Sequence, residues 1–410
     1  MKFLFFFLPT IPATLDERRK LRPIANRTEY FQKMIDEVVE MSRLAEDVGF
    51  DAVAFPEHHL HGEGLEMGSL PVLTQHVIHN TKHIKVGPIG YVLPGWNPMR
   101  LALEIAWLDQ LTKGRTLIGF ARGYQTRWLN QMAQKIHVSA TVSDKSEVDR
   151  TNREAFEEVF RILKLAWGDE PFRFKGKYYE FPYPYESGTP WAPHEWTREY
   201  GAPGELDEKG NIRAINLVPK PYQKPHPPLF QAFSISEETV RWTARERITP
   251  SILISEPKRV RELAEIYRQE SAANGRTLSL GESIGVLRTV YLGENRQQAR
   301  QMAEQGAVGV GFRKFFYHFG FWEAWRNPED DAKYPGRMLP LEECTIDRVE
   351  KAKFSLIGDV DGVRKEMDAL AENANPEWFM WQGDQGLLPA EVVKNQIRMF
   401  GEKIVQRFKK

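Results

Sequence analysis

From Thr28 to Val48 the apolar positions Tyr30, Met34, Val38, Met41, Ala45 and Val48 keep the three-and-four spacing of a helix that buries one stripe. Gly49 follows where a helix C-terminus takes a left-handed residue, and Asp51 to Phe55 then reads as a short buried strand. The alternation continues along the chain. Strands are predicted at 3–8, 51–55, 84–92, 116–121, 229–233, 249–254, 283–292 and 378–381. Helices are predicted at 28–48, 68–80, 98–111, 150–167, 236–246, 257–274, 295–308 and 361–373, with a last one at 389–407. Eight strand–helix units in this order predict an α/β protein, a parallel sheet closed as a TIM-type (β/α)8 barrel.

Such a barrel typically takes about 250 residues, so a chain of 410 must carry insertions. Two segments supply them. The first, 172–228, is dense in Pro and Gly and holds Tyr178, Tyr179, Trp191 and Trp196; the second, 311–354, holds Phe315, Phe316, Tyr317, Phe319, Trp322 and Trp325. Long segments this rich in aromatic residues are expected to be ordered and functional, as a lid over the barrel mouth or as packing on its wall or a partner. The expected organisation is one barrel domain over 1–410 with these two insertions.

Composition narrows the classes. The chain is 41% hydrophobic and 27% charged, with 56 basic and 56 acidic residues, so neither disorder nor a polyanion-binding surface is expected and nucleic acid is not a predicted partner. The apolar N-terminal run Met1 to Leu8 ends at Pro9 without a small-residue cleavage site, and it reads as a strand buried on both faces. No stretch approaches the roughly 20 apolar residues of a membrane span. The single cysteine, Cys344, has no internal disulfide partner and follows Glu342 and Glu343, which disfavour a thiolate. A soluble cytoplasmic protein is expected.

Candidate chemistry collects where predicted strands end. Glu57-His58-His59 follows the strand at 51–55, the end of a βα unit that lines the ligand site in such barrels. A solvated loop is the competing reading. The His-His-Leu-His run at 58–61 also invites a metal, but no second ligand cluster stands at another strand end, so none is predicted; His58 as an acid/base group needs no such partner. Arg122 in Gly119-Phe-Ala-Arg-Gly123 directly follows another strand, as a phosphate fork or as a surface arginine in a turn. Leu229 to Thr239 runs from a strand into a helix start with hydroxyls at Ser234, Ser236 and Thr239, suited to an anion. A capping box built on Ser234 and Glu237 would explain the same residues. No glycine-rich dinucleotide fingerprint, Walker-type loop or nucleophile elbow occurs.

Together these segments resemble the bacterial luciferase-like flavin-dependent monooxygenases, in the same order and over nearly the whole chain. The resemblance rests on Ala45-Glu-Asp-Val-Gly-Phe-Asp51, Glu57-His58-His59, Val92-Leu-Pro-Gly-Trp-Asn-Pro98, Leu108 to Gly123, Lys224-Pro-His-Pro-Pro228, Ser236-Glu-Glu-Thr-Val-Arg-Trp242 and Ile357-Gly-Asp359. It implies a barrel that binds reduced FMN at its C-terminal face, reacts it with O2 to a flavin hydroperoxide, and works as a homodimer fed by a separate NAD(P)H:flavin reductase. It implies phosphate contacts from Arg122, Arg153, the Ile235 amide, Ser236 and Thr239. His58 would sit beside the flavin ring with Glu57 orienting it and His59 pointing elsewhere. A looser match places Leu73-Thr74-Gln75, and so Thr74, at a strand end where some members carry an unusual cis peptide under the flavin. Luciferases proper carry a reactive cysteine where this chain has Ala121, so general oxygenation of a small apolar or aromatic substrate is expected in place of light emission. The alternatives are hydride transfer with a deazaflavin (coenzyme F420), within the same superfamily, and a non-catalytic flavin-binding protein.

Overall fold

A computed structural model describes residues 1–65, 68 and 70–409. The chain packs as two compact units, Met1–Tyr91 with Leu117–Ala121 and Leu229–Lys410, and Val92–Thr116 with Arg122–Pro228. The 311–354 insertion belongs to the first unit and the 172–228 insertion to the second.

The first unit is a nearly closed parallel barrel. Its strands are β1 (Lys2–Phe6), β2 (Ala52–Phe55), β3 (Lys85–Pro88), β4 (Ile118–Ala121), β5 (Leu229–Ser234), β6 (Thr249–Ile252), β7 (Gly285–Leu292) and β8 (Trp378–Gln382). Hydrogen bonding runs β3-β2-β1-β8-β7-β6-β5-β4, all parallel. The unbroken apolar β1 follows from burial on both faces. Phe3 and Phe5 meet Phe50 and, respectively, Phe400 and Trp381 on one side, and Phe6 meets Phe233 on the other. Between β3 and β4 the seam is backbone against backbone. A Cβ on Gly119 would lie 2.8 Å from the Ile89 Cα, and one on Gly90 2.8 Å from the Gly119 carbonyl carbon, so the approach requires glycine.

Around the strands run α1 (Thr28–Asp47), α2 (Leu70–His79), α5 (Glu237–Glu246), α6 (Pro257–Ala273), α7 (Arg296–Gln305), α8 (Val360–Ala374) and α9 (Ala390–Phe400); α3 (Pro98–Thr112) and α4 (Glu147–Trp167) belong to the second unit. Gly49 after α1 takes φ +96°, the predicted left-handed stop. The predicted strands and helices are all present, with four departures, one being the 389–407 helix, which widens at Gly401–Val405. The 84–92 strand breaks after Pro88 at a cis Ile89–Gly90 peptide. The 295–308 helix stops at Gln305 and resumes as a wider turn, Ala307–Phe312. A short strand, Ser355–Gly358, pairs with the second half of β7; its four residues are too few to declare a period. Among the described residues no helix is long and apolar enough to cross a membrane.

In the second unit the Trp167 indole on α4 donates to the Ala102 carbonyl on α3 at 3.2 Å. Fully buried Asp109 accepts from Thr116 Oγ1 at 2.5 Å and from the Gln223 backbone at 2.7 Å and side chain at 2.8 Å. The aromatic insertion is tied to α4 through Glu158, which accepts the backbone N–H groups of Lys177, Tyr178 and Tyr179 at 2.8–2.9 Å.

Candidate active site

The chain leaving β2 carries Glu57 and His58 at 2% and 7% exposure, so this is not a solvated loop. The Glu57 carboxylate stands 3.0 Å from His59 Nε2. Glu57 and His59, two residues apart, are thus in contact. His58 instead lies parallel to His61, with ring centroids 6.0 Å apart and 3° between planes. His61 donates from Nδ1 to the Leu65 carbonyl at 2.8 Å and meets the edge of Phe315, from the second insertion, at 5.5 Å. No cluster of three or more His, Cys, Asp or Glu with the geometry of a metal site occurs among the described residues.

Thr74 is fully buried and its hydroxyl has no partner, but Leu73-Thr74-Gln75 lies inside α2 and not at a strand end. The non-proline cis peptide is Ile89–Gly90, which directly follows β3.

At the end of β5, α5 begins with Ser236 as its N-cap, accepting from the Thr239 N–H at 3.2 Å and standing 3.0 Å from the Thr239 hydroxyl. The predicted Ser234–Glu237 box is therefore not the cap. Ser234 is the last residue of β5, fully buried, and donates to the Gln231 carbonyl at 3.4 Å. Glu237, whose charge would oppose an anion, is held by Arg241 at 2.8 Å. Ile235 is exposed, so the backbone is open at this helix start.

In the second unit Arg122, which directly follows β4 in sequence, donates to Asp149 at 2.7 Å and to the Ser143 hydroxyl. Thr141 Oγ1 and the Lys145 N–H also reach Asp149, each at 3.0 Å. Burial pushes the Asp149 carboxyl up, but Arg122 and these hydrogen bonds outweigh it and leave the group below its usual range. Arg153 lies on α4 one turn beyond Asp149. Asp149 thus fixes one edge of the Arg122 fork.

Two residues that the sequence reading passed over follow β8. Asp384 and Gln385 are 7% and 1% exposed and border a narrow, largely apolar cleft with room for about one water, walled by Leu8, Leu65, Phe315 and Phe316. Burial pushes the Asp384 carboxyl up to about 6, against the hydrogen bonds it receives from Ala307 N–H and Tyr291 OH. The signal was present, since Gly383-Asp384-Gln385-Gly386 follows an aromatic strand as Glu57-His58 follows β2. Gln231 Oε1 on β5, Ser251 Oγ on β6, Gln382 Oε1 on β8 and Ser255 Oγ just past β6 are buried without hydrogen-bond partners.

Relatives share this architecture. The chain is 24% identical over 358 residues, 86% of each protein, to the 3,6-diketocamphane 1,6-monooxygenase of Pseudomonas putida. Among solved structures it is similar to the oxygenating constituent of 3,6-diketocamphane monooxygenase from Pseudomonas putida in complex with FMN, at a TM-score of 0.70 and 19% identity, covering 99% of this chain and 98% of that one. It is also similar to the coenzyme F420 dependent tetrahydromethanopterin reductase of Methanopyrus kandleri, at 0.61 and 14% over 99% of each. The family model for luciferase-like monooxygenases matches residues 1–375, and this chain belongs to that family.

Proposed function

We propose that the chain is a flavin-dependent monooxygenase that uses reduced FMN and O2 to oxygenate a small apolar or aromatic substrate. A separate NAD(P)H:flavin reductase supplies the reduced flavin. The observation that carries this reading is the buried Glu57-His58 step leaving β2, in a barrel whose β5 runs into an open, hydroxyl-bearing helix start. The similar Pseudomonas putida protein is the oxygenating constituent of its monooxygenase, which supports a two-component system. The resemblance extends the proposal to a homodimer, and a single buried cysteine goes with a reducing cytoplasm.

The residues suit the cofactor. Buried polar atoms normally find partners, and the unpartnered set at Gln231, Ser251, Ser255 and Gln382 is unexpected in an apolar barrel unless a polar heterocycle meets it. Reduced FMN, when bound, supplies the electrons that activate O2. For its phosphate the Ile235 amide, Ser236 and Thr239 offer N–H and O–H donors at a helix start, with Glu237 neutralised by Arg241. Within the second unit the resemblance gives Arg122 and Arg153 an anion-binding role, and Asp149 pre-orients the Arg122 fork. His58 takes or returns a proton at the reacting centre, its ring aligned by the parallel His61. Glu57 acts on His59 and stiffens the loop that carries His58.

His58→Ala tests the assignment. Oxygenation is expected to fall at least about a hundredfold, as for loss of a general acid/base, while reduced FMN still binds and hydrogen peroxide takes the place of product. Turnover at the wild-type rate would remove His58 from the mechanism. Deazaflavin-dependent hydride transfer remains the second reading, because the coenzyme F420 dependent reductase shares the fold. Anaerobic titration with each reduced cofactor separates the two.

A further inference from the structure

One guanidinium ties together the loops that leave three neighbouring strands. Arg18 lies on a short helix, Leu15–Lys20, which follows β1 and opens with a capping box between Thr14 and Glu17. Its Nη1 donates to the Glu63 carbonyl at 2.7 Å and its Nη2 to the Ile11 carbonyl, with longer contacts to the Gly64 and Gly386 carbonyls at 3.4 and 3.5 Å. Ile11 follows β1, Glu63 and Gly64 follow β2, and Gly386 follows β8; β1 pairs with both of the other strands. The loops also meet directly. The Ile11 N–H donates to the Gly64 carbonyl at 2.8 Å, and a Cβ on Gly386 would lie 2.2 Å from the Thr10 carbonyl oxygen. Glu17, the adjacent carboxylate, is engaged by Thr14 and Tyr30, so the Arg18 fork is spent on backbone carbonyls of the barrel mouth.

We propose that Arg18 is a positioning residue of the active site: it holds the turn His61–Leu65, and through that turn it sets the ring against which His58 is aligned. Two hydrogen bonds close the turn, Gly64 N–H to the His61 carbonyl at 2.9 Å and His61 Nδ1 to the Leu65 carbonyl at 2.8 Å. Gly64 takes φ +72°, and a Cβ there would lie 2.6 Å from Ile11 Cγ1, so the turn is pressed against the β1 loop that Arg18 also bonds. A carbonyl only accepts, so His61 carries a proton on Nδ1, and the same bond fixes the plane of its ring. His58 lies parallel to that plane, 6.0 Å away. A guanidinium suits the task because its rigid fork reaches several acceptors at once, whereas an ammonium is a compact point charge. That His58 moves a proton rests on the monooxygenase reading; that Arg18 sets the His61 ring does not.

The test is nuclear magnetic resonance of the full chain, without flavin, with ¹⁵N in the histidine and arginine side chains and the His61 signals assigned by their loss in His61→Gln. In the wild type the neutral His61 ring is expected as the Nδ1–H tautomer, and the two Nη groups of Arg18, bonded to different loops, as separate, slowly rotating signals. A neutral His61 protonated at Nε2, or averaged Nη signals, would overturn the proposal before any Arg18 variant is made. Arg18→Lys keeps the charge and loses the fork. It is expected to lose the Nδ1–H preference, and its Gly64 and Ile11 amides to exchange at least about tenfold faster, the low end for a hydrogen bond to a charged group. A lower melting temperature with the tautomer and both amide rates unchanged would make Arg18 a purely structural residue and overturn the proposal. Oxygenation with reduced FMN and O2 on the same preparations is expected to fall at least about tenfold in Arg18→Lys, as for a misplaced catalytic group. Wild-type oxygenation despite an altered tautomer would overturn the positioning role. An altered tautomer in a chain that oxygenates nothing even as wild type upholds the hold of Arg18 on His61 and sinks the monooxygenase reading.

Discussion

Asp384→Asn has a consequence for stability that depends on pH in a definite direction. The Asp384 carboxyl moves from an ordinary 3.8 to about 6 in the folded chain, burial outweighing the hydrogen bonds from Ala307 and Tyr291. A carboxyl raised on folding makes the folded state bind the extra proton, so wild-type stability falls as pH rises through the interval from 3.8 to about 6. The penalty is absent below that interval and complete above it. Some two pKa units at about 1.4 kcal/mol each give about 3 kcal/mol. Asparagine keeps the shape and both bonds at Oδ2 but carries no charge. Its contribution relative to wild type should therefore be about 2.4 kcal/mol more favourable at pH 8 than at pH 4, where a small part of the penalty is already present, or about 3 °C in Tm for a chain of this length. Both proteins are followed by fluorescence-monitored melting at half-unit pH steps, and the difference between them is taken at each pH. Other titrating groups cancel in that difference. Parallel curves across the whole range would mean that Asp384 is solvated or paired, and would refute the reasoning.

Gly306→Ala should disturb the same carboxylate from the other side, because a Cβ there would lie 1.9 Å from Asp384 Oδ2. The expected loss is about 1–3 kcal/mol by overpacking, together with loss of the pH signature; a Tm within a degree of wild type would contradict it. Glu158→Ala removes the acceptor for three consecutive N–H groups, so limited proteolysis within 172–185 should accelerate several-fold at unchanged barrel stability, and an unchanged rate would show that other contacts hold the insertion. Burial pushes the Cys344 thiol up to about 12, so a thiol reagent at pH 8 should label it only after denaturation. Rapid labelling of the native chain would place Cys344 at the surface.

Much of the barrel was legible because each strand carries its own signature. β1 is apolar at every position after Lys2 since both its faces are covered, and α1 keeps an uninterrupted stripe that ends at Gly49. Ser355–Gly358 was hidden by its length, and the break at Ile89–Gly90 has no proline to announce it. At the site, sequence proximity was a poor guide to partnership. The contact between Glu57 and His59 was not foreseen, because the sequence reading considered only Glu57 beside His58. Thr74 was placed by a local likeness, whereas Leu70–His79 is one helix. Asp384 and Gln385 escaped because a Gly-Asp-Gln-Gly step reads as an ordinary turn, and only the fold reveals that it is buried and faces Leu8, Leu65 and Phe315.

The central claim is oxygenation with reduced FMN, and the direct measurement is isotopic. The purified chain is mixed with chemically reduced FMN, ¹⁸O2 and a panel of small apolar and aromatic compounds, and the products are read by mass spectrometry. The account predicts a product carrying one ¹⁸O atom, the other leaving as water, and no such product when His58 is alanine. Hydrogen peroxide alone across the panel, together with turnover of a reduced deazaflavin in the absence of O2, would contradict it.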